Sequence, residues 1–187
     1  MNEANAKKLL FEVADTLEDI GVEFFLYGGT LLGAVRERKF IEIDKDIDLG
    51  IWRENLIPVA REIEARLIEK RINVNVIDSR KERPWNNGIY AIKFKAYGEH
   101  GDLGGFMKLC GKRAIPSRIK DSWLVHTARF IEELDEIEFY GRTFKCPKDT
   151  DGFLTEKYGD WRTPHKVFHN VSKSTCRKPE SWIEDMK

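Results

Sequence analysis

The chain has 187 residues, of which 41% are hydrophobic, enough for one globular domain that buries roughly two thirds of its unfolded surface. Lysine and arginine together number 32, as do aspartate and glutamate, so the formal net charge is zero and no nucleic-acid partner is expected. Three widely spaced cysteines without a Cys-x-x-Cys pair predict neither a disulfide framework nor a zinc site, and they favour a cytoplasmic protein.

Apolar residues at helical spacing predict a first amphipathic helix over residues 3–20, with Gly21 as its C-terminal stop. Since this segment is charged, and no run of about 18 apolar residues occurs anywhere, neither a signal peptide nor a transmembrane segment is expected. Residues 22–27 are rich in β-formers and predict a buried strand that ends in a turn at Gly28 and Gly29. Residues 30–35 can then open a short helix.

The next predicted strand covers residues 47–52 and leads into a second amphipathic helix over 54–70, where Pro58 is tolerated in the first turn. Further strands are expected at 73–77, 89–97 and about 102–109, with turns over 78–88 and 98–101. A hairpin over 138–146 around Tyr140 and Gly141 and a helix over 149–158 follow. These elements indicate a single α/β (α+β) domain over residues 1–187, in which helices cover a mixed sheet.

The glycine pair is suited to binding phosphate. Gly28 and Gly29 lack Cβ atoms, so main-chain N–H groups can converge on an anion, and Thr30 can add a hydroxyl. The N-terminus of the short helix that follows carries a positive partial charge at the same point. A simple turn is the alternative interpretation of the pair.

Two aspartates come at the start of the next predicted strand. Asp46 and Asp48 are two residues apart, and this spacing places both side chains on one strand face, where they can hold one cation. Oxygen-only ligands suit Mg²⁺ or Mn²⁺. An exposed acidic loop that includes Asp44 is the alternative. A glycine pair after one strand and Asp-x-Asp on the next match the general nucleotidyltransferase arrangement, which favours a metal-dependent phosphate-transfer site.

Several segments carry a family resemblance. They are Tyr-Gly-Gly-Thr-Leu-Leu-Gly-Ala-Val-Arg at 27–36, Phe-Ile at 40–41, Asp-Lys-Asp-Ile-Asp at 44–48, His-Gly-Asp at 100–102 and Tyr-Gly-Asp-Trp-Arg-Thr-Pro at 158–164. Together they cover most of the chain and resemble the LicD family, which includes fukutin and fukutin-related protein. The sequence departs from the family pattern at Lys45, which stands where a carboxylate is usual.

The resemblance implies a nucleotidyltransferase-like fold and a metal-dependent transferase. Such an enzyme moves a phosphorylated alcohol, such as phosphocholine, glycerol phosphate or ribitol phosphate, from a CDP-activated donor. The implied acceptor is a glycan or a lipid-linked saccharide, as in cell-surface polysaccharide biosynthesis. Asp102 would then complete the metal site of Asp46 and Asp48 from a neighbouring strand, and a turn aspartate is the alternative.

Three further residues are candidates for the same site. Arg36 can hold a donor phosphate, or it can form a surface ion pair with Glu37 or Glu42. Lys93 either contacts phosphate or marks a solvated strand face. Asp44 is a candidate general base for the acceptor hydroxyl, or an outer carboxylate of the metal site.

The C-terminal segment adds four weaker candidates. His165 and His169 can contact a phosphate near neutral pH, although surface histidines are the simpler interpretation. Tyr158 and Trp161 can surround a quaternary ammonium group with aromatic faces, or they can dock a terminal helix.

Two other functions stay open on the sequence. The same glycine and aspartate motif serves nucleotidyltransferases that add NMP to a small molecule or a protein, and it does not decide which half of the donor leaves. Lys45 motivates the second alternative, a non-catalytic module that binds a nucleotide or a phosphorylated glycan.

Overall fold

The computed structural model describes residues 1–78, 88–116, 122–164 and 176–177. Within these residues the helices are α1 (Glu3–Ile20), α2 (Gly28–Arg36), α3 (Arg53–Glu69), α4 (Ala128–Ile131) and α5 (Thr150–Tyr158). The strands are β1 (Phe24–Leu26), β2 (Ile47–Trp52), β3 (Asn73–Asp78), β4 (Ile89–Ala96), β5 (Glu99–Leu109), β6 (Lys112–Pro116), β7 (Trp123–Thr127), β8 (Leu134–Phe139), β9 (Arg142–Pro147) and β10 (Cys176–Arg177).

The main sheet is mixed and is organised around the long strand β5. Strand β2 pairs with β1 in antiparallel fashion and with β5 in parallel, while β4 joins β5 to β3 through two antiparallel ladders. The last residues of β5, 107–109, continue into antiparallel pairing with β6, and β7 and β10 follow. Strands β8 and β9 form a separate hairpin. The predicted mixed sheet is therefore confirmed.

Helices α1 and α3 contact each other, and both contact β5. The buried face of α1 consists of seven side chains at the predicted spacing, namely Ala6, Leu9, Leu10, Val13, Ala14, Thr16 and Leu17. Its end is also as predicted, because Gly21 adopts a left-handed conformation with φ 78° and its N–H bonds back to the last turn. No helix of the described residues is long and apolar enough to cross a membrane.

Several element boundaries differ from the sequence prediction. Helix α2 begins at Gly28, so the glycine pair forms the first turn of the helix and is not a preceding turn. Strand β5 begins at Glu99, because Tyr97 and Gly98 alone make the tight turn with positive φ. Pro58 lies in the second turn of α3 and not in the first. The hairpin around Tyr140 and Gly141 is confirmed and extends over β8 and β9.

The segment between β5 and β8 was not assigned to any element by sequence pattern. It contains β6, β7 and α4, whose buried side chains include Ala114, Trp123 and Val125 in a small second core. Charged residues interrupt the apolar residues of this segment, and neither a period of two nor one of 3.6 is sustained there. Cys110, which is exposed, and Cys146, which is buried, are free cysteines.

Candidate metal and phosphate site

Three carboxylates meet between the start of α2 and the start of β2. One oxygen atom of each of Asp44, Asp46 and Asp48 lies within 4.8 Å of the others, and all three side chains are half-buried. Asp48 is the second residue of β2, and Asp46 immediately precedes the strand. The structure therefore brings together the predicted pair, with Asp44 as the third member of this carboxylate cluster.

The glycine pair makes room for these carboxylates. A Cβ atom on Gly28 would overlap the Asp48 carboxylate, and one on Gly29 would overlap that of Asp44. Gly28 also has φ 55°, a conformation that side chains disfavour. The close approach expected at these glycines is thus an approach of the helix backbone to the two aspartates.

Asp48 forms two hydrogen bonds with α2, one as an acceptor and one as a donor. The N–H of Gly29 donates to its carboxylate Oδ2 at 2.9 Å, and its own N–H donates to the Thr30 hydroxyl at 2.9 Å. Thr30 is only 1% exposed. Its hydroxyl oxygen therefore joins α2 to β2 through the main-chain N–H of Asp48.

Burial and mutual repulsion perturb two of the carboxyl groups. Burial first, and then the charge of Asp46, raise the pKa of Asp48 to about 7, although Lys157 and the Gly29 N–H act in the opposite direction. The same two causes raise the pKa of Asp44 to about 6. Crowded carboxylates with raised pKa values repel one another when ionised, and a divalent cation among them would relieve that repulsion.

A buried polar chain of hydrogen-bonded side chains extends from Lys157 through Tyr27 and His126 to Glu156. The Lys157 ammonium on α5 donates to the Tyr27 hydroxyl at 3.0 Å, and that hydroxyl lies 3.0 Å from His126 Nε2. His126 Nδ1 is 3.2 Å from Glu156 Oε2, and Glu156 also accepts hydrogen bonds from the main chain and hydroxyl of Thr127. Lys157, Tyr27 and His126 are 3%, 7% and 0% exposed.

The donor and acceptor roles in this chain follow from its chemistry. Burial lowers the pKa of His126, so its ring is neutral at pH 7 and carries one N–H. Lys157 can only donate, so Tyr27 accepts from it and uses its own hydrogen toward Nε2 of His126. The N–H of His126 is then on Nδ1 and donates to the Glu156 carboxylate.

Asp102 and Lys93 lie beside the carboxylate cluster on adjacent strands. Asp102 is directly opposite Asp48 in the parallel pairing of β5 with β2, and it is opposite Lys93 in the pairing of β5 with β4. Lys93 Nζ is 4.0 Å from Asp102 Oδ1, and half of the Lys93 side chain is exposed. Asp102 is outside the group formed by Asp44, Asp46 and Asp48, so its role as a metal ligand stays a prediction.

Arg36 lies at the opposite end of α2 from the carboxylates. Its guanidinium pairs with Glu37 at 2.6 Å and donates to the main-chain oxygen of Trp161 at 3.1 Å. This is the ion pair that the sequence offered as the alternative to phosphate binding, and the phosphate role stays a prediction. Trp161 is buried under the Arg162 guanidinium, whose carbon lies 4.5 Å from the ring centroid. His165 and His169 lie outside the described residues.

With this geometry in place, comparison with known proteins decides the family. The model of the LicD/FKTN/FKRP nucleotidyltransferase domain matches residues 21–149. The chain belongs to the LicD/FKTN/FKRP family. That match confirms the predicted family and the nucleotidyltransferase-like fold, and it contains the whole carboxylate cluster with α2 and β2.

The family relatives are longer than this chain. It is 30% identical to ribitol 5-phosphate transferase FKRP of Homo sapiens over 159 residues, which cover 79% of this chain and 30% of that protein. It is 47% identical to ribitol-5-phosphate transferase FKTN of Mus musculus over 53 residues, 28% of this chain and 12% of that protein. This LicD-family chain therefore spans less than one third of the length of the relatives it matches.

The chain also aligns with solved structures. The crystal structure of ANT(2")-Ia in complex with adenylyl-2"-tobramycin aligns with a TM-score of 0.47 and 17% identity. The alignment covers 75% of this chain and 68% of that one.

The buried chain from Lys157 to Glu156 was not found by sequence reasoning. Tyr27 was noted only as part of a predicted strand and a family-like segment, and His126 and Lys157 were not considered. Lys157 carries one signal, because a lysine between Phe153, Leu154 and the aromatic Tyr158 lies on the buried side of α5. His126 carries none, since its partners come from α5 and from the residue before α2.

Proposed function

We propose that the chain is a metal-dependent transferase that moves a phosphorylated alcohol from a CDP-activated donor to a hydroxyl group of a glycan or lipid-linked saccharide. The observation that carries the proposal is the carboxylate cluster of Asp44, Asp46 and Asp48 at the N-terminus of α2. The names of its LicD-family relatives support ribitol phosphate as the transferred group.

The carboxylate cluster fits Mg²⁺ or Mn²⁺. It offers only oxygen ligands, and the two glycines of α2 leave space that side chains would fill. Asp46 and Asp48 would hold the ion, with Asp44 or Asp102 as a further ligand. When bound, such an ion neutralises charge on the donor diphosphate.

The protein's own residues hold the Asp48 carboxylate in position and provide an acceptor for the hydroxyl proton. The Gly29 N–H donates to the Asp48 carboxylate and the Thr30 hydroxyl accepts from the Asp48 main-chain N–H, so Asp48 does not have to reorganise when the donor binds. In the transfer, the acceptor oxygen bonds to the phosphorus that carries the alcohol, and the bond from that phosphorus to the CMP oxygen breaks. Asp44, whose carboxylate lies beside those of Asp46 and Asp48, is the proposed acceptor for the hydroxyl proton.

Release of CMP from CDP-ribitol, CDP-glycerol and CDP-choline tests the proposal. We expect release from one of these donors with Mg²⁺ or Mn²⁺ and an oligosaccharide acceptor, and none after addition of EDTA. Asp46→Asn should abolish release, while Asp19→Asn on the exposed side of α1 is the matched control and should not.

Two results would contradict the proposal. A product labelled with CMP would show that the other half of the donor is transferred, as in a nucleotidyltransferase. Binding of metal and nucleotide without any turnover, across the panel of donors and acceptors, would favour a non-catalytic module.

A further inference from the structure

A buried lysine contacts the side chain of Tyr27, the residue before the glycine pair, and the proposed reaction does not use it. Lys157 is 3% exposed, and its ammonium nitrogen lies 3.0 Å from the Tyr27 hydroxyl and 4.5 Å from the centroid of the Tyr27 ring. A buried ammonium is costly unless opposite charge compensates it. The position of Lys157 therefore needs an electrostatic reason.

The main chain of Tyr27 connects Lys157 to the cluster. The Tyr27 N–H donates to the main-chain oxygen of Asp48 at 3.2 Å, and the next residue, Gly28, packs directly against the Asp48 carboxylate. Burial lowers the pKa of Lys157 to about 8, and the charges of Asp48 and then Asp44 act in the opposite direction. The positive charge of Lys157 and the negative charges of Asp44 and Asp48 thus compensate each other in the protein interior.

Lys157 is also anchored on its far side. Its hydrogen-bond acceptor, the Tyr27 hydroxyl, is in turn held by His126 and, through His126, by Glu156. Glu156 is fixed by Thr127 at the end of β7. Because each member of the chain has one defined role as donor or acceptor, the ammonium cannot turn away without leaving a buried polar group unsatisfied.

We propose that Lys157 is an internal counter-ion of the carboxylate cluster. It is a positioning residue that stabilises Asp44 and Asp48 in the metal-free protein and lowers the affinity of the cluster for divalent cations. This inference rests on the proposed function in so far as the cluster binds a metal. Its consequence is a site that binds metal weakly alone and more tightly with an anionic donor, whose negative charge offsets that of the lysine.

The effect of removing this charge has a definite sign. Binding of a divalent cation raises the charge of the cluster, even where the ion displaces a proton from one aspartate. A neighbouring positive charge opposes every such increase, so its removal favours the metal-bound state wherever Lys157 is protonated. A purely structural role of Lys157 predicts the opposite, because loosening the joint between α5 and Tyr27 would weaken the site or leave it unchanged.

Titration of the 187-residue chain with Mn²⁺, followed by the electron paramagnetic resonance of the free ion, tests the inference. We expect Lys157→Met to bind Mn²⁺ at least about tenfold more tightly than the wild type. Lys148→Met removes the same charge from an exposed lysine that pairs with Glu133, and should change the affinity less than about twofold. Asp46→Asn should remove the binding.

The outcomes separate the two proposals. If the wild type binds no Mn²⁺ either alone or with CDP added, both the proposed function and the counter-ion role are overturned. If the wild type binds Mn²⁺ but Lys157→Met binds it equally or more weakly, the counter-ion role alone is overturned. Should Lys157→Met fail to fold, the ¹⁵Nζ resonance of Lys157 in the wild type must shift on addition of Mg²⁺, and an unchanged resonance would refute the role.

Discussion

Gly29 has no side chain, and this leaves room for the Asp44 carboxylate against α2. A Cβ atom there would overlap the carboxylate, although alanine is otherwise favoured over glycine in a helix by up to about 1 kcal/mol. We expect Gly29→Ala to keep the fold and displace Asp44, with at least about a tenfold loss of Mn²⁺ affinity. Circular dichroism and Mn²⁺ titration of the same preparation measure the two effects.

A second glycine separates the loss of the site from a loss of stability. Gly111 has φ 61° and nothing near its missing Cβ, so Gly111→Ala should cost about 1–2 kcal/mol through backbone strain. It should leave Mn²⁺ affinity unchanged. Equal loss of affinity in both variants would mean that the Gly29 effect is general destabilisation.

At the scale of elements, the sequence predicted best where one local pattern determines the structure. Helix α1 and the turn at Tyr140 and Gly141 follow from helical spacing and turn chemistry. Asp46 and Asp48 were found from their spacing of two residues, although only Asp48 lies within β2 and Asp46 precedes the strand. The segment from β6 to α4 was missed, since it is organised by contacts with β5 and α5 that are distant in sequence.

The same reason explains what was missed in the site. The predicted phosphate role of Thr30 stays a prediction, but the sequence did not show that its hydroxyl accepts a hydrogen bond from the main-chain N–H of Asp48, 18 residues away. Likewise, Lys157 reaches Tyr27 across 130 residues. Hydrogen bonds of this kind depend on how elements pack, and residue types alone do not reveal them.

The joint between α2 and β2 provides a prediction at this scale. Thr30→Val removes the acceptor of the Asp48 N–H and leaves that group unsatisfied, so we expect a loss of about 1–3 kcal/mol in the free energy of unfolding. Thr16→Val is the matched control, because the equally buried Thr16 hydroxyl only donates to a helix carbonyl, and its loss should cost less than about 1 kcal/mol. Guanidinium denaturation of both variants measures the difference, and equal losses would contradict a special role for the joint.

For the whole molecule, the repulsion within the carboxylate cluster that favours metal binding also lowers the stability of the metal-free protein. The folded-state pKa values of Asp44 and Asp48, about 6 and about 7, lie above the ordinary value of 3.8. Stability from these two groups is therefore complete below pH 3.8 and is lost as the pH rises through 6 and 7. Above pH 7 the metal-free cluster is fully repulsive, and a protein without that repulsion should be more stable.

Asp46→Asn tests this trade-off, because the charge of Asp46 contributes to both raised pKa values. In EDTA at pH 8 we expect the variant to be more stable than the wild type by on the order of 1 kcal/mol, and the gain should shrink toward pH 5. Excess Mn²⁺ should raise the melting temperature of the wild type alone, since only an intact cluster binds the ion. A variant that is less stable than the wild type at pH 8 in EDTA would show that Asp46 stabilises the fold, and the repulsion would then be too weak to favour a bound metal.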